Sequence, residues 1–165
     1  MPRKLLLFVI LVIVCGLAML WSDGLVSTRQ ELIGAAMFIL MVLVFEFFSI
    51  EVPGSGLSVS VGFVPILTSI LLFGAPVGTW VASFGTMNWK DIAGGKPLYR
   101  NMFNFCQAAI SASAAARIYR LTGGVVGSPN ILRPGPILAA LAIFIALNFA
   151  MPTIAYALAT GSRAY

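Results

Sequence analysis

Residues Leu57 to Trp89 read LSVSVGFVPILTSILLFGAPVGTWVASFGTMNW. The stretch is apolar enough for a bilayer. Yet Gly62, Pro65, Gly74, Pro76, Gly78 and Gly85 cut it into pieces too short for two ordinary spans. A helix needs about 20 apolar residues to cross roughly 30 Å of hydrocarbon. Broken backbone at membrane depth is tolerated only where protein buries it or where it lines a cavity. Short, Gly/Pro-interrupted segments are therefore pointers to a binding site, and this block is expected to form one wall of a pocket.

The rest of the chain fits that setting. Of its 165 residues, 60% are hydrophobic and 9% charged, against about 25% charged in a soluble domain. The mean hydropathy is +1.01. A single integral membrane domain over residues 1–165 is expected, with the lipid bilayer as its first partner. The net charge of +5 would hint at nucleic acid in a soluble chain. Here the basic residues sit at the ends of apolar runs, where they set orientation, and nucleic acid is not an expected partner.

The chain has no histidine, which removes His-based acid–base catalysis and His metal ligands. Cys15 and Cys106 lie in different apolar segments without motif spacing and read as small buried residues. GSG at 54–56 and GG at 94–95 and 123–124 are turns rather than phosphate loops. No nucleophile–base pair stands out. The expectation is no enzyme, no catalytic residue, no metal and no cofactor.

Along the chain, Arg3 and Lys4 precede a first helix over Leu5–Trp21, read as uncleaved. A second is expected over Leu32–Ile50, after a possible N-cap at Ser27 or Thr28. Glu51–Gly56 reads as a turn, and Leu57–Val61 as an extended piece or an irregular helix start. Pro65 suits the first turn of a helix reaching Phe73. Gly74-Ala75-Pro76 is a tight turn before a short helix over Val77–Asn88. After the polar loop Lys90–Arg100, a fifth helix covers Asn101–Leu121. A Gly/Pro-rich loop over Gly123–Pro136 leads to a sixth over Ile137–Ala159, kinked at Pro152. The fold class is all-α: a polytopic membrane helix bundle of about six transmembrane helices, with short, Gly/Pro-broken third and fourth segments. The positive-inside rule puts Arg3, Lys4, Lys90, Lys96, Arg100 and Arg163 in the cytoplasm and Arg29, Arg117, Arg120 and Arg133 outside. Both termini are then cytoplasmic. Five crossings, with Leu57–Asn88 forming one re-entrant excursion plus a span, would instead put the C-terminus outside.

Five residues are candidates for ligand contact. At about 100° per residue, Arg100, Asn104, Gln107 and Ser111 share one arc of the fifth helix. A polar stripe on a membrane helix faces the bundle interior or a wet cavity, so Asn104 and Gln107 form either a ligand wall or interhelical hydrogen bonds. For Ser111 close packing is the stronger reading. Glu46 lies in the apolar run FEFFSI, where a carboxylate is either functional or a helix-end acid paired with a loop cation. Ser58 completes the set. Asn148, four residues before Pro152, is read as satisfying a backbone group freed by that proline.

The blocks LSVSVGFV, ILLFGAPVGTWVASFG and KPLYRNMFNFCQAAISASAAARIYRLTGG, in this order, resemble the N-terminal membrane input regions of bacterial signalling proteins that carry HD-GYP phosphodiesterase or diguanylate cyclase domains. The resemblance covers about Leu32 to Gly124. Its most telling residues are Ser58, Gly62, Phe73, Gly74, Pro76, Phe103, Asn104, Gln107 and Gly123-Gly124. It implies a multi-pass protein of the bacterial cytoplasmic (inner) membrane that senses or regulates without catalysis. Such a module would bind a small ligand, or a membrane or cytoplasmic signalling partner. No GGDEF-like segment is present, so the chain is expected to lack an output domain. The block GFVPILTSILLFGAPVG also resembles the S components of energy-coupling-factor vitamin transporters, which would make the chain a vitamin-binding transport subunit. In a third reading it is a structural subunit of a larger complex, docking another chain on Ala108, Ala112 and Ala116.

Overall fold

A computed structural model describes residues 2–48, 50–52, 57–59, 61–87, 97–130 and 132–161. The described residues form six helices: α1 (Arg3–Asp23), α2 (Arg29–Phe47), α3 (Phe63–Phe73), α4 (Ala75–Gly85), α5 (Leu98–Leu121) and α6 (Gly135–Thr160). Two three-residue strands, β1 (Ile50–Val52) and β2 (Leu57–Val59), pair antiparallel between α2 and α3, with Glu51 opposite Ser58.

Most elements start and stop where local chemistry directs. Thr28 caps α2, accepting from the Glu31 amide while the Glu31 carboxylate accepts from the Thr28 amide, which satisfies two helix-start donors at once. The second helix stops at Phe47 rather than Ile50, because Ile50 already belongs to a strand. Glu51 and Val52, expected in a turn, are extended too; 53–56 lie outside the described residues. Leu57–Val59 is extended, the first of the two alternatives its alternation left open. The break between α3 and α4 is narrower than the expected three-residue turn. Gly74 alone makes it, at φ 81°, a conformation that residues with a Cβ rarely adopt. Pro76 sits inside the first turn of α4, where its missing N–H costs nothing. The fourth helix ends at Gly85, before the expected Asn88, which with Trp89 lies outside the described residues.

Close approaches fix how the helices run. A Cβ on Gly78 would collide with Ile70, so α3 and α4 fold back on each other as a helical hairpin. Gly34 lies against Phe73 and Gly85 against Val42, so α4 runs parallel to α2. Gly16 sits on the backbone of Cys106, where an added Cβ would be 2.6 Å from the carbonyl oxygen. Together with the Phe8–Phe103 contact, this makes α1 parallel to α5. Val9, Val12, Phe103, Cys106 and Met151 form one apolar cluster. The start of α1, the start of α5 and the last turns of α6 therefore share one end of the bundle, the near end. The far end holds Asp23, the hairpin tip at Gly74, the last turn of α5 and the first turn of α6.

α5 occupies the centre, touching α1, α3, α4 and α6. Small residues permit this: Ala108, Ala109, Ser111, Ala112, Ser113, Ala115 and Ala116 are all buried, and small side chains let helix backbones approach closely. The face Ala108, Ala112, Ala116 is thus buried within its own chain, whose α5 packs on α3, α4 and α6, and is not free to dock another.

α1 and α6 are long and apolar enough to cross a membrane, and their most apolar stretches are only 22% and 17% buried. Leu7, Leu11 and Val14 on α1, and Leu138 and Phe149 on α6, are more than half exposed. A soluble core helix would hide these residues. Here they face outward, as a lipid-facing belt does. By contrast α3 and α4, at 11 residues each, extend about 16 Å at 1.5 Å per residue. That is half a bilayer, so neither crosses alone.

Candidate functional site

Gln107 belongs to the α5–α6 seam. Pro152 lies inside α6 and has no N–H, which leaves the carbonyl four residues earlier, that of Asn148, without its helical donor. Gln107 Nε2 fills the gap, donating to the Asn148 carbonyl at 3.2 Å and to Asn148 Oδ1 at 2.6 Å. Asn148 was expected to satisfy the group that Pro152 frees; instead its own carbonyl is that group, and Gln107 satisfies it. Ser111 turns inward, donating to the Gln107 carbonyl at 3.0 Å.

The other candidates stand apart. Asn104 is half-buried, and Arg100 and Glu46 are exposed near the near end. Among the described residues, no hydrogen bond or ion pair joins the side chains of these three to one another or to Gln107. Ser58 lies in β2, paired with Glu51 through the backbone; its side chain is outside the described residues. The sequence stripe also passed over Asn101. It is 2% exposed, and neither atom of its amide has a partner among the described residues.

The densest polar network is at the far end, built from residues that sequence reasoning did not single out for chemistry. Asp23 closes α1 with its side chain 5% exposed. Arg117 Nη2 donates to Asp23 Oδ1 at 2.8 Å and to Ser22 Oγ at 3.1 Å, and Arg117 Nε to Ser113 Oγ at 3.3 Å. The Thr79 hydroxyl lies 3.0 Å from Asp23 Oδ2 and 2.6 Å from the Ala75 carbonyl. One buried carboxylate thereby ties together α1, α4 and α5. A buried charge is tolerated only when paired and hydrogen-bonded in this way.

Two neighbouring cavities open at this end. The larger, about 670 Å³, is lined by Asp23, Arg117 and Arg120, the hairpin tip Gly74-Ala75-Pro76, and the loop after α5. The smaller, about 300 Å³, lies between Tyr119, Arg133 and Ile137, and shares Gly124 and Val125 with it. Ligand pockets generally span roughly 300–1,000 Å³. The loop is pinned over the hairpin by Gly127 N–H donating to the Leu71 carbonyl at 2.9 Å, and to α5 by Tyr119 Oη donating to the Val125 carbonyl at 3.1 Å. The break in the apolar block therefore lines a cavity, as its interruptions indicate. Arg100, Asn104, Gln107 and Glu46 line neither of these two. A helix-end Asp followed far along the chain by a basic pair near a Gly-Gly turn was the only available signal.

In comparison with known proteins, the family model MASE9, a membrane-associated sensor domain family, matches residues 3–164. No curated protein and no solved structure matches the chain.

Proposed function

We propose, because the chain belongs to the MASE9 family of membrane-associated sensor domains, that it is the ligand-binding input module of a bacterial signalling system in the cytoplasmic membrane. The near end, where α1 starts and α6 ends, faces the cytoplasm. The far-end cavity receives a small ligand, and α5 and α6 carry the resulting shift toward Thr160. The module itself performs no catalysis. The observation that carries this reading is the far-end cavity, lined by the hairpin tip and by the ion pair between buried Asp23 and half-exposed Arg117, whose carboxylate ties three helices together.

The orientation is supported by the positive-inside rule, which, read on the sequence with an inner N-terminus, counts six basic residues on the cytoplasmic side and four outside. The signal route is supported by the Gln107–Asn148 link, which couples α5 to the proline break of α6. A helix interrupted by proline and held by one side chain is a joint that two arrangements can share. The resemblance to the input regions of cyclic-dinucleotide enzymes makes that chemistry the first output to test.

The test is a chimera in which the chain replaces the membrane region of a diguanylate cyclase in a reporter cell. Asp23→Asn and Arg117→Met are expected to shift cyclic-dinucleotide output several-fold at unchanged membrane levels. Output indifferent to both, with the chimera inserted and its cyclase active, overturns the reading.

A further inference from the structure

We infer that the far-end cavity binds an amphipathic oxyanion, a carboxylate or phosphate group attached to an apolar body, with Arg120 and the free Nη1 edge of Arg117 as its seat. This rests on the ligand-binding reading above and names the chemistry of its ligand.

The charges at the site do not balance. Asp23 neutralises one cation, and it holds Arg117 through Nη2 alone. Arg117 Nη1 has no hydrogen bond among the described residues, and neither does the guanidinium of Arg120. The two side chains are three positions apart on α5, hence neighbours on one helix surface, and both line the same cavity. Arg133 lines the adjoining one. Placement in the last turn of a helix is favourable for one cation, which explains an arginine at position 120. It does not explain two guanidinium groups facing one cavity with donors unused. A planar guanidinium presents a fork that matches a carboxylate or phosphate oxygen pair.

The rest of the lining sets the shape of the ligand. Phe73, Pro76, Ala116, Val125 and Val126 are apolar. A volume of about 670 Å³ far exceeds what one ion requires, given that a water takes about 30 Å³. An apolar body against these side chains, with its acid group on Arg120, uses both halves. Two sources supply that chemistry: a free aliphatic or aromatic acid, and the phosphodiester headgroup of an anionic lipid with its glycerol end in the cavity.

The experiment uses the full chain in nanodiscs and separates the two sources. In phosphatidylcholine discs, hexanoate and benzoate are titrated beside hexanamide and benzamide, their uncharged counterparts. In discs doped with phosphatidylglycerol, lipid retained by the protein is read by native mass spectrometry. If the source is a free acid, at least one acid binds tenfold or more tighter than its amide. Arg120→Gln then removes that difference and Arg120→Lys keeps part of it. If the source is lipid, phosphatidylglycerol is retained by the natural chain and by Arg120→Lys but lost from Arg120→Gln. Acids no tighter than amides, together with no retained phosphatidylglycerol, overturns the inference on the natural chain alone, whatever the folding of the variants. Binding or retention untouched by Arg120→Gln in a folded variant overturns it as well. A chimera that responds to its far-end substitutions while neither arm shows an oxyanion leaves the sensor reading standing and ends this one.

Discussion

At the scale of the residue, single polar side chains act as fasteners between helices. Gln107 replaces the donor that Pro152 removes from α6. Gln107→Leu is expected to destabilise the chain by about 1–2 kcal/mol, the range for an interhelical bond in a membrane and for an acceptor left without a partner. Pro152→Ala returns an N–H to the Asn148 carbonyl, so Gln107→Leu should cost less in that background. A double-mutant cycle read by denaturant unfolding in micelles checks this; strictly additive effects would show that the two residues act separately. Arg117→Met strands the Asp23 carboxylate with only Thr79 beside it. Because Arg117 is half exposed, the expected loss is about 1–3 kcal/mol, less than a fully buried pair gives. Asp23→Asn, which keeps an acceptor without the charge, should cost less. The same unfolding assay ranks the two.

At the scale of the element, helix positions are set by contacts that admit no side chain. Gly16→Ala drives a Cβ into the backbone of Cys106, which cannot move aside as a flexible side chain can. A loss of about 2–3 kcal/mol follows, typical of overpacking. Gly135→Ala is the contrasting case. It lies in the first turn of α6 with open space where the Cβ would go, and should be neutral or stabilise by roughly 0.5 kcal/mol through the unfolded chain. Thermal midpoints in one detergent compare the pair. The hairpin of α3 and α4 belongs to this scale too. Two half-length helices joined at one glycine have no independent reason to stand in a bundle. Ser69 and Ser83 turn their hydroxyls onto carbonyls of their own helices, leaving flat faces that pack on α2 and α5.

At the scale of the whole molecule, the outward apolar belt decides the solvent. Leu11 is 58% exposed midway along α1. Leu11→Arg would be nearly neutral on a soluble surface, but at the centre of a spanning helix it should oppose insertion by about 2.5–3.5 kcal/mol. Membrane-fraction yield in cells distinguishes the two. Orientation is checked by cysteine labelling after Cys15→Ala and Cys106→Ala. A cysteine at Thr122 should react with an impermeant maleimide from outside, and one at Thr160 only after permeabilisation. The reverse pattern would turn the bundle over and move the proposed sensory cavity to the cytoplasm.

Much of this was legible without coordinates, and the reason is locality. Apolar runs, the capping pair Thr28–Glu31, Gly74 and Pro152 each act through forces within a few residues. They fix the membrane setting, the place of most described helices in the sequence, and the break in Leu57–Trp89. The polar network follows no such rule. Asp23 meets Thr79 across 56 positions and Arg117 across 94, and Gln107 meets Asn148 across 41. Hydropathy and helical periodicity show that a side chain needs a partner inside a bundle, but not which one. That choice came only with the packing, when Gly16 let α1 settle on α5 and Gly78 let the hairpin close. These contacts carried the cavity to the far end of the bundle, away from the stripe of Arg100, Asn104 and Gln107 that the sequence had made conspicuous.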